Sequence, residues 1–271
     1  MRINIQSLLL LASFASSAVG CNGDARLCGR KYSNVTQIGA HNSAFVGELP
    51  TQNQGLEVEG QLDMGIRFLQ AQTHNLFGLG EMYMCHTSCF LLNTGPLVKY
   101  LERINKWMVA HPNEVVTLLL TNQDNADVSI FGKAMVNSGL AKLAYTPPKK
   151  LALNEWPTLQ EMINSNKRLV MFLDYHADTA KVPCSVDRPP NASAAGRFSI
   201  INHVLDFALT PGKDGVLIPD ILQAEKTNSV ASIMAQVGLC QKAHGATPNF
   251  ILVDYAERGE VIKAQNMMNH L

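Results

Sequence analysis

The sequence predicts an α/β fold, a distorted or incomplete TIM (β/α)8-type barrel, in one domain. Short apolar runs alternate with segments of helical periodicity, which is typical of a parallel sheet with helical crossovers. The chain has 271 residues, 46% of them hydrophobic and 16% charged, enough to bury a sizeable core. No Gly-rich strand-to-helix turn of the GxGxxG or GxxxxGK type occurs, so a closed barrel is favoured over an open doubly wound sheet.

Residues 1–20 predict a secretory signal that is not part of the fold. Arg2 precedes an apolar run from Ser7 to Ala12, and small residues follow up to Gly20. The run is too short to span a bilayer. A buried core helix is the alternative interpretation. We therefore predict a secreted, extracellular chain with one mature domain over residues 21–271.

Seven apolar runs have the length and composition of buried strands. They are Val35 to Ala40, Ile66 to Ala71, Met82 to Cys85, Val115 to Leu120, Leu169 to Leu173, Phe198 to Ile201 and Phe250 to Val253. Helical periodicity is found in Pro96 to Val109, Val128 to Val136, Thr158 to Ile163 and Ser229 to Cys240. The eighth strand of a complete barrel is not recognisable.

Polar residues follow most of these runs. In a parallel barrel all strand ends of one kind meet at one rim, where barrel enzymes carry their chemistry. The rim candidates are His41, Asn42, Gln70, Gln72, His74, His86, Thr121, Asn122, Asp174, His203 and Asp254. Polar residues also follow buried strands in proteins without a site there. Three of the runs lead into a histidine, which is more than this general tendency explains. We therefore predict a functional site at the rim.

Charge excludes one class of partner. Lys plus Arg number 22 and Asp plus Glu number 22, so the formal net charge is +0. No long-range field is available to hold a polyanion, and nucleic acid is not an expected partner.

Six cysteines support export, because an even count with short spacings is typical of disulfides formed in an oxidising compartment. The predicted pairs are Cys21–Cys28, Cys85–Cys89 and Cys184–Cys240. Zinc ligation around Cys85 is the alternative, disfavoured because no second close cysteine pair lies nearby. Acceptor triplets at Asn34 and Asn191 predict glycosylation.

Several segments together resemble the catalytic X domain of phosphatidylinositol-specific phospholipase C, in particular the secreted fungal phospholipase-C-like phosphodiesterases. They are Ile38 to Ser43 (IGAHNS), Asp63 to Gln70 (DMGIRFLQ), Cys85 to Thr87, His111 to Leu120 (HPNEVVTLLL) and Trp156 to Gln160 (WPTLQ). The resemblance implies that His41 is the general base that activates the attacking hydroxyl and His86 the general acid that protonates the leaving alkoxide. Imidazole suits both roles because it titrates near neutral pH.

The sequence departs from the family in how phosphate charge is neutralised. Relatives use either an arginine on the second strand or a calcium ion held by Asn, Glu, Asp and Glu. Here the second-strand positions are Gln70 and Gln72, and Thr121 replaces a Lys or Glu. Asn42 alone remains of the calcium set and would bind the ion weakly, so no cofactor is expected.

Strand parity suggests a substitute for the missing charge. Gln70, Gln72 and His74 share one face of the second strand, whereas Arg67 lies on the other face near the opposite end. We hypothesise that protonated His74, with the carboxamides of Gln70, Gln72 and Asn42, stabilises the transition state. Asp254 is a candidate for orienting His41, and a structural role for Asp254 is the alternative. Further candidates for contact with the substrate or its phosphate are Thr121, Asn122, Asp174 and His203.

The predicted function is that of a secreted phosphodiesterase.

 The resemblance implies cleavage of a phosphatidylinositol-like head group or another phosphodiester, independent of calcium, by a monomer with peripheral membrane contact. A catalytically weak or inactive barrel that binds lipid or carbohydrate is the alternative, favoured by the loss of both charge-neutralising devices. Glycerophosphodiesterase-type and sphingomyelinase D-type barrels are disfavoured, because they carry Glu and Asp where this chain has Gln70 and Gln72.

The connection around Lys181 to Cys184 is shorter than in the fungal relatives that the chain resembles. It lies between the fifth and sixth predicted strands of the barrel. The rim is therefore expected to be incomplete at this point.

Overall fold

The computed structural model describes residues 20–78, 80–174, 193, 195–208 and 217–271. The strands are β1 Gln37–Ala40, β2 Phe68–His74, β3 Tyr83–Cys85, β4 Asn93–Pro96, β5 Val116–Asn122, β6 Leu169–Asp174, β7 Ile200–Asn202, β8 Asp206–Ala208, β9 Leu217–Pro219 and β10 Phe250–Val253. The α-helices are α1 Ala25–Cys28, α2 Val58–Asp63, α3 Leu97–Ala110, α4 Val128–Asn137, α5 Leu159–Asn164, α6 Ala224–Thr227, α7 Val230–His244 and α8 Val261–Met268. Short 3-10 turns are Tyr32–Asn34, Leu76–Gly78, Leu140–Lys142 and Leu153–Glu155.

The main sheet contains a run of parallel strands in the order β7, β10, β1, β2, β5, β6. In the described part of the chain the two outer strands of this run, β6 and β7, do not pair with each other. The arrangement confirms the predicted incomplete barrel. Because the six strands are parallel, their C-terminal ends lie at one edge of the sheet.

Side chains alternate between two apolar layers along each strand, as a period of two requires. On β2, Leu69 and Ala71 belong to the large cluster that packs against the helices, whereas Phe68 belongs to a second cluster. Phe68 packs there against Phe250 of β10, with ring centroids 4.7 Å apart. This second cluster fills the concave side of the sheet with residues from β2, β5, β6 and β10. The concave face of β2 therefore carries Phe68, Gln70 and Gln72, as the parity argument predicts.

Helix ends follow ordinary capping chemistry. Thr158 Oγ1 accepts a hydrogen bond from Glu161 N–H, and Glu161 Oε2 accepts one from Thr158 N–H, which forms a capping box at α5. Ser229 caps the N-terminus of α7, and Gly245 ends the helix in the left-handed conformation. The four helices predicted from periodicity are confirmed as α3, α4, α5 and α7.

One predicted strand has a different place from the one expected. Met82 to Cys85 was expected as a parallel barrel strand, but β3 runs antiparallel to β2, with Thr73 opposite Met84. Both edges of β2 already carry parallel neighbours, β5 from Phe68 to Thr73 and β1 at Phe68 and Leu69. β3 and β4 therefore form a hairpin attached to the C-terminal end of β2.

Two of the predicted disulfides, Cys21–Cys28 and Cys85–Cys89, are confirmed. The third involves Cys184, which lies outside the described residues, as do Asn191, the shortened connection and the predicted signal up to residue 19. Asn34 is exposed, and its glycosylation stays a prediction. No helix among the described residues is long and apolar enough to cross a membrane.

Arg67 lies away from the rim, as its parity predicts. Its Nε donates to Glu114 Oε2 at 2.7 Å, and its guanidinium carbon lies 4.9 Å from the centre of the Trp107 ring. A second donor bonds the carbonyl oxygen of Ile66 at 2.8 Å. This pair fastens the start of β2 to the helical layer.

Replacing Arg67 by Met is expected to lower the free energy of unfolding by about 3 to 5 kcal/mol, because it leaves the Glu114 carboxylate buried without its partner. Urea unfolding followed by circular dichroism measures the change. Arg26→Met is the matched control, since the Arg26–Asp24 pair is largely exposed and its loss should change the free energy of unfolding far less. Equal effects of the two substitutions would contradict the stabilising role of the Arg67–Glu114 pair.

Candidate active site

His41 and Asp254 occupy equivalent ends of two neighbouring strands. β1 pairs with β10 so that Ala40 lies beside Val253, which places the next residue of each strand side by side. His41 Nδ1 donates to Asp254 Oδ1 at 2.8 Å. Because a carboxylate only accepts, the Nδ1 proton is fixed and Nε2 is left to act as a base. Asp254 is 6% exposed, and Asn53 Nδ2 also donates to its Oδ1 at 2.9 Å.

The electrostatic surroundings favour the protonated form of His41. Burial lowers the pKa of this imidazole, but the charge and hydrogen bond of Asp254, with the charge of Asp206, outweigh it, so the pKa is raised. Burial and the nearby Asp254 charge also raise the pKa of the Asp206 carboxyl. Asp254 therefore both orients the ring and stabilises its positive charge when the ring is protonated.

His86 is held from three sides at the end of the β3–β4 hairpin. Its Nδ1 donates to the carbonyl oxygen of Thr51 at 2.5 Å, and its Nε2 lies 3.2 Å from Asn42 Nδ2. The ring stacks on Phe45 with centroids 5.0 Å apart and planes 10° from parallel. Burial, and the positive charge of His41, lower the pKa of His86, although the Thr51 carbonyl opposes this shift.

Asn42 joins the two histidines to β2. Its backbone is left-handed with φ +49°, a conformation that asparagine tolerates better than most residues. Its backbone N–H donates to Gln70 Oε1 at 2.8 Å, while its side chain contacts His86. Asn42 Oδ1 is buried and has no hydrogen-bond partner in the described part of the chain.

Gln70 and Gln72 present amide nitrogens to the concave side of the sheet. Gln70 Oε1 accepts from Asn42 N–H, and Gln72 Oε1 accepts from Thr87 N–H at 2.9 Å. Since a backbone N–H only donates, each side-chain oxygen is identified by its partner, and the NH₂ group is the opposite end. The backbone that follows β1 orients the Gln70 amide, and the backbone that follows β3 orients the Gln72 amide.

A row of polar residues continues across the concave face from Gln72. Thr121 of β5 lies beside Gln72 in the parallel register, and Asp174 of β6 lies beside Thr121. Thr121 shares its face with Leu119, and Asp174 shares its face with Phe172, both members of the concave cluster. The structure therefore brings these two predicted residues to the side of the sheet that carries the site.

Two predicted phosphate contacts are engaged elsewhere. Asn122 lies on the helix-facing side of β5, where its amide makes two hydrogen bonds of 2.9 Å to the backbone of Ala126. His74 Nδ1 bonds Asp124 Oδ1 at 2.9 Å, and its Nε2 is buried without a partner among the described residues. Neither makes a hydrogen bond to Asn42, Gln70 or Gln72. The role of His74 in charge stabilisation stays a prediction.

His203 is placed differently from the expectation of a substrate contact. It is buried, with Nε2 2.7 Å from the carbonyl oxygen of Thr227 and Nδ1 bonded to Gln236. Both ring nitrogens are used within the protein. His203 therefore fastens β7 to the α6–α7 segment.

Sequence reasoning missed Thr51, Asn53 and Asp206. The first two belong to the loop after β1, and Asp206 begins the short β8–β9 hairpin. None of them follows a buried strand that a period of two would reveal. Thr51 contributes only a backbone carbonyl, for which the side chain gives no signal.

The residues present do not fit a calcium site. Calcium takes six to eight oxygen ligands, usually including several carboxylates. No group of three or more His, Cys, Asp or Glu in the described chain is arranged to hold a metal. The one carboxylate bonded to the central residues, Asp254, is engaged by His41 and Asn53.

Comparison with known proteins places the chain in a family. The family model described as PI-PLC X 1 matches residues 27–183 and 183–269. This chain belongs to the PI-PLC X domain family. The two matched segments meet at residue 183, in the connection that is predicted to be short.

Two proteins of Arthroderma benhamiae are similar to this PI-PLC X family member. A PI-PLC X domain-containing protein 1 is 40% identical over 296 residues, covering 97% of this chain and 95% of that protein. A protein named as an uncharacterized secreted protein is 39% identical over 272 residues, covering 89% of this chain and 61% of that protein. That name and the two disulfides are consistent with an extracellular location.

Solved structures support the fold. A double mutant of the phosphatidylinositol-specific phospholipase C from S. aureus matches with TM-score 0.51 and 16% identity, covering 90% of this chain and 94% of that chain. The phosphatidylinositol-specific phospholipase C from Listeria monocytogenes matches with TM-score 0.51 and 14% identity, covering 90% and 95%. At these identities the likeness concerns the fold, a TIM-type barrel with a phospholipase C-like arrangement of strands.

Proposed function

We propose that this protein is a secreted phospholipase C-like phosphodiesterase that cleaves a phosphatidylinositol-like lipid between phosphate and glycerol without calcium. One observation carries the proposal: two imidazoles, each with Nδ1 fixed by an acceptor, are joined through Asn42. Asp254 fixes His41, and the Thr51 carbonyl fixes His86. In both rings Nε2 is the nitrogen left for proton transfer.

The reaction needs a base and an acid on opposite sides of phosphorus. His41 Nε2 takes the proton of a hydroxyl vicinal to the phosphodiester, and that oxygen bonds to phosphorus. The bond from phosphorus to the glycerol oxygen breaks, and protonated His86 gives its Nε2 proton to the departing alkoxide. The products are a cyclic phosphodiester and diacylglycerol, with no covalent enzyme intermediate.

Amide groups supply hydrogen bonds to the phosphoryl oxygens in place of a cation. The NH₂ groups of Gln70 and Gln72 are aligned by their bonds to the Asn42 and Thr87 backbone. Donors held in place before the reaction stabilise developing charge without a reorganisation cost. This arrangement accounts for the absence of the family's arginine or calcium ligands at these positions.

Gln72→Glu tests the role of the amide donor. The substituted side chain keeps an oxygen for Thr87 N–H but replaces the NH₂ donor with a negative oxygen. We expect kcat to fall by about 100-fold or more, the usual cost of one lost donor to a transition state. The exposed Gln160→Glu is the matched control and should leave kcat unchanged. An unaltered kcat in Gln72→Glu would contradict the role.

Contact with the lipid surface is proposed through loops on the side of the site. Leu49 in the loop after β1 is 62% exposed, Phe90 in the hairpin loop 89%, and Leu222 after β9 87%. The hairpin loop also carries His86, and the loop after β1 holds the Thr51 carbonyl that His86 bonds. Such side chains insert into the interface of a bilayer without a membrane-spanning segment.

Diacylglycerol release from vesicles tests the substrate and the metal requirement together. We expect release from vesicles that contain phosphatidylinositol, none from pure phosphatidylcholine, and equal rates with calcium or with chelator. Activity that depends on calcium would overturn the metal-free part. Vesicle binding without release by folded protein would favour the alternative, a barrel that binds lipid without turnover. No Lys or Arg side chain of the described residues is bonded to the site, which also favours that alternative.

A further inference from the structure

We propose that the Cys85–Cys89 disulfide is a positioning device for the acid His86, and that leaving-group protonation depends on it. The proposal rests on the proposed function. The bridge closes a segment with a sequence separation of 4, and His86 is the first residue inside it. His86 thus lies on a backbone that is tied at both ends.

The rest of the hairpin holds this segment weakly. β3 has three residues, and its ladder to β2 consists of two residue pairs, Thr73 with Met84 and His74 with Tyr83. Its ladder to β4 is irregular between Tyr83 and Cys85. Short, irregular pairing of this kind gives little resistance to fraying. The covalent bridge is therefore the strongest restraint on the backbone of His86.

Thr87 supports the same conclusion from its backbone. Its φ is +62°, a left-handed conformation that is costly for a β-branched residue. Strained conformations persist where the surrounding structure imposes them, and they concentrate at functional sites. In this conformation Thr87 N–H donates to Gln72 Oε1. The bridged segment thus orients the amide of Gln72 as well as the imidazole of His86.

The ring contacts of His86 depend on the position of that backbone. Thr51 and Phe45 belong to the loop after β1, and they meet His86 only when the segment lies against them. His86 N–H also donates to the carbonyl oxygen of Leu92 at 3.1 Å, within the hairpin loop. Opening the bridge releases these contacts together.

The other described disulfide provides a matched control. Cys21–Cys28 has a sequence separation of 7, and the loop-closure effect on stability grows slowly with loop length. The two bridges should therefore stabilise the fold by similar amounts. Cys21–Cys28 lies by Asn22, which bonds the backbone of Asn113 and Val115 before the start of β5, at the opposite end of the sheet from His86.

The test compares Cys85→Ala/Cys89→Ala with Cys21→Ala/Cys28→Ala on two phosphodiesters of the same inositol head group. One has an alkyl leaving group that needs an acid, and the other has p-nitrophenol, which departs without one. We expect the first variant to lose about 100-fold more kcat on the alkyl ester than on the p-nitrophenyl ester, on which only the alignment of the Gln72 amide is lost. The control variant should lose the same small factor on both. His86→Ala should show the same difference between the two esters, and combining it with the bridge variant should not enlarge that difference.

Loss of equal size on both esters, or no loss on either, would overturn the proposal. If the variant does not fold, stepwise reduction of the native protein by dithiothreitol replaces it, with alkylation and mass spectrometry to identify the opened bridge. Each opened bridge takes two electrons and two protons from dithiothreitol, which closes to its cyclic disulfide. Loss of activity on the alkyl ester should follow opening of Cys85–Cys89 and not of Cys21–Cys28.

Failure of the proposed function has a different signature, since the native protein would then turn over neither ester. In that case the pKa of His86, measured by NMR, tests the bridge alone. We expect the pKa to rise toward its ordinary value when Cys85–Cys89 is removed, because the ring leaves its buried position. An unchanged pKa would refute a positioning role.

Discussion

His41→Gln is expected to lower kcat on a phosphodiester substrate by about 1,000-fold or more. The glutamine amide can still donate to Asp254, so the local structure is kept, but it has no nitrogen that accepts a proton at neutral pH. General base catalysis contributes about 100- to 10,000-fold, and the attacking hydroxyl would have no other base in reach. Initial rates at saturating substrate measure the loss.

The control for this substitution is His270→Asn, because His270 is an exposed histidine at the end of the chain. Its φ is +54°, which asparagine tolerates. The control should keep full activity and stability. Retention of activity in folded His41→Gln would remove His41 from the mechanism.

Asp254→Asn is expected to reduce kcat by about 100- to 10,000-fold while leaving the fold intact. Asparagine can present an NH₂ group to His41 Nδ1, which selects the tautomer with the proton on Nε2. That tautomer cannot accept the hydroxyl proton. Asn53 Nδ2 donates to the same oxygen in the native protein. Its Oδ1, which has no hydrogen-bond partner among the described residues, can accept from the new NH₂ group once the Asn53 amide turns over.

The pH profile gives the same substitution a second readout. Turnover needs His41 neutral and His86 protonated, while the structure raises the pKa of His41 and lowers that of His86. In the native protein kcat/KM should therefore fall at high pH through the pKa of His41 and at low pH through the pKa of His86. Between the two limbs the active protonation state is a constant minor fraction.

Removing the Asp254 charge lowers the pKa of His41, because the imidazolium loses its main stabilising partner. The high-pH limb in Asp254→Asn should move to lower pH, and the two limbs should approach each other. A high-pH limb that stays in place would show that Asp254 does not set the pKa of the base. Its role would then be structural.

Strand periodicity was sufficient to predict the face of β2. Because side chains alternate along a strand, Gln70 and Gln72 had to share one face and Arg67 the other, and the structure has this arrangement. The same reasoning placed His41 and Asp254 at strand ends. Their hydrogen bond needed one further fact, the pairing of β1 with β10, which joins residues more than 200 positions apart.

Other features carried no local signal in the sequence. The antiparallel direction of β3 depends on β5 and β1 occupying the two edges of β2, a competition that no single segment reveals. Asn122 was one of the predicted rim residues and is the last residue of β5, but its parity turns it to the helices, where it closes a turn with Ala126. The anchoring of His86 by the Thr51 carbonyl is a backbone contact that residue identity does not encode.

Phosphorus NMR on vesicles of phosphatidylinositol tests the central claim, that His41 and His86 transfer protons during metal-free cleavage of a phosphodiester. The account predicts a cyclic inositol phosphate signal that forms in the presence of chelator and is absent with His41→Gln. A signal that persists in His41→Gln, or no product from protein shown to be folded, would contradict it.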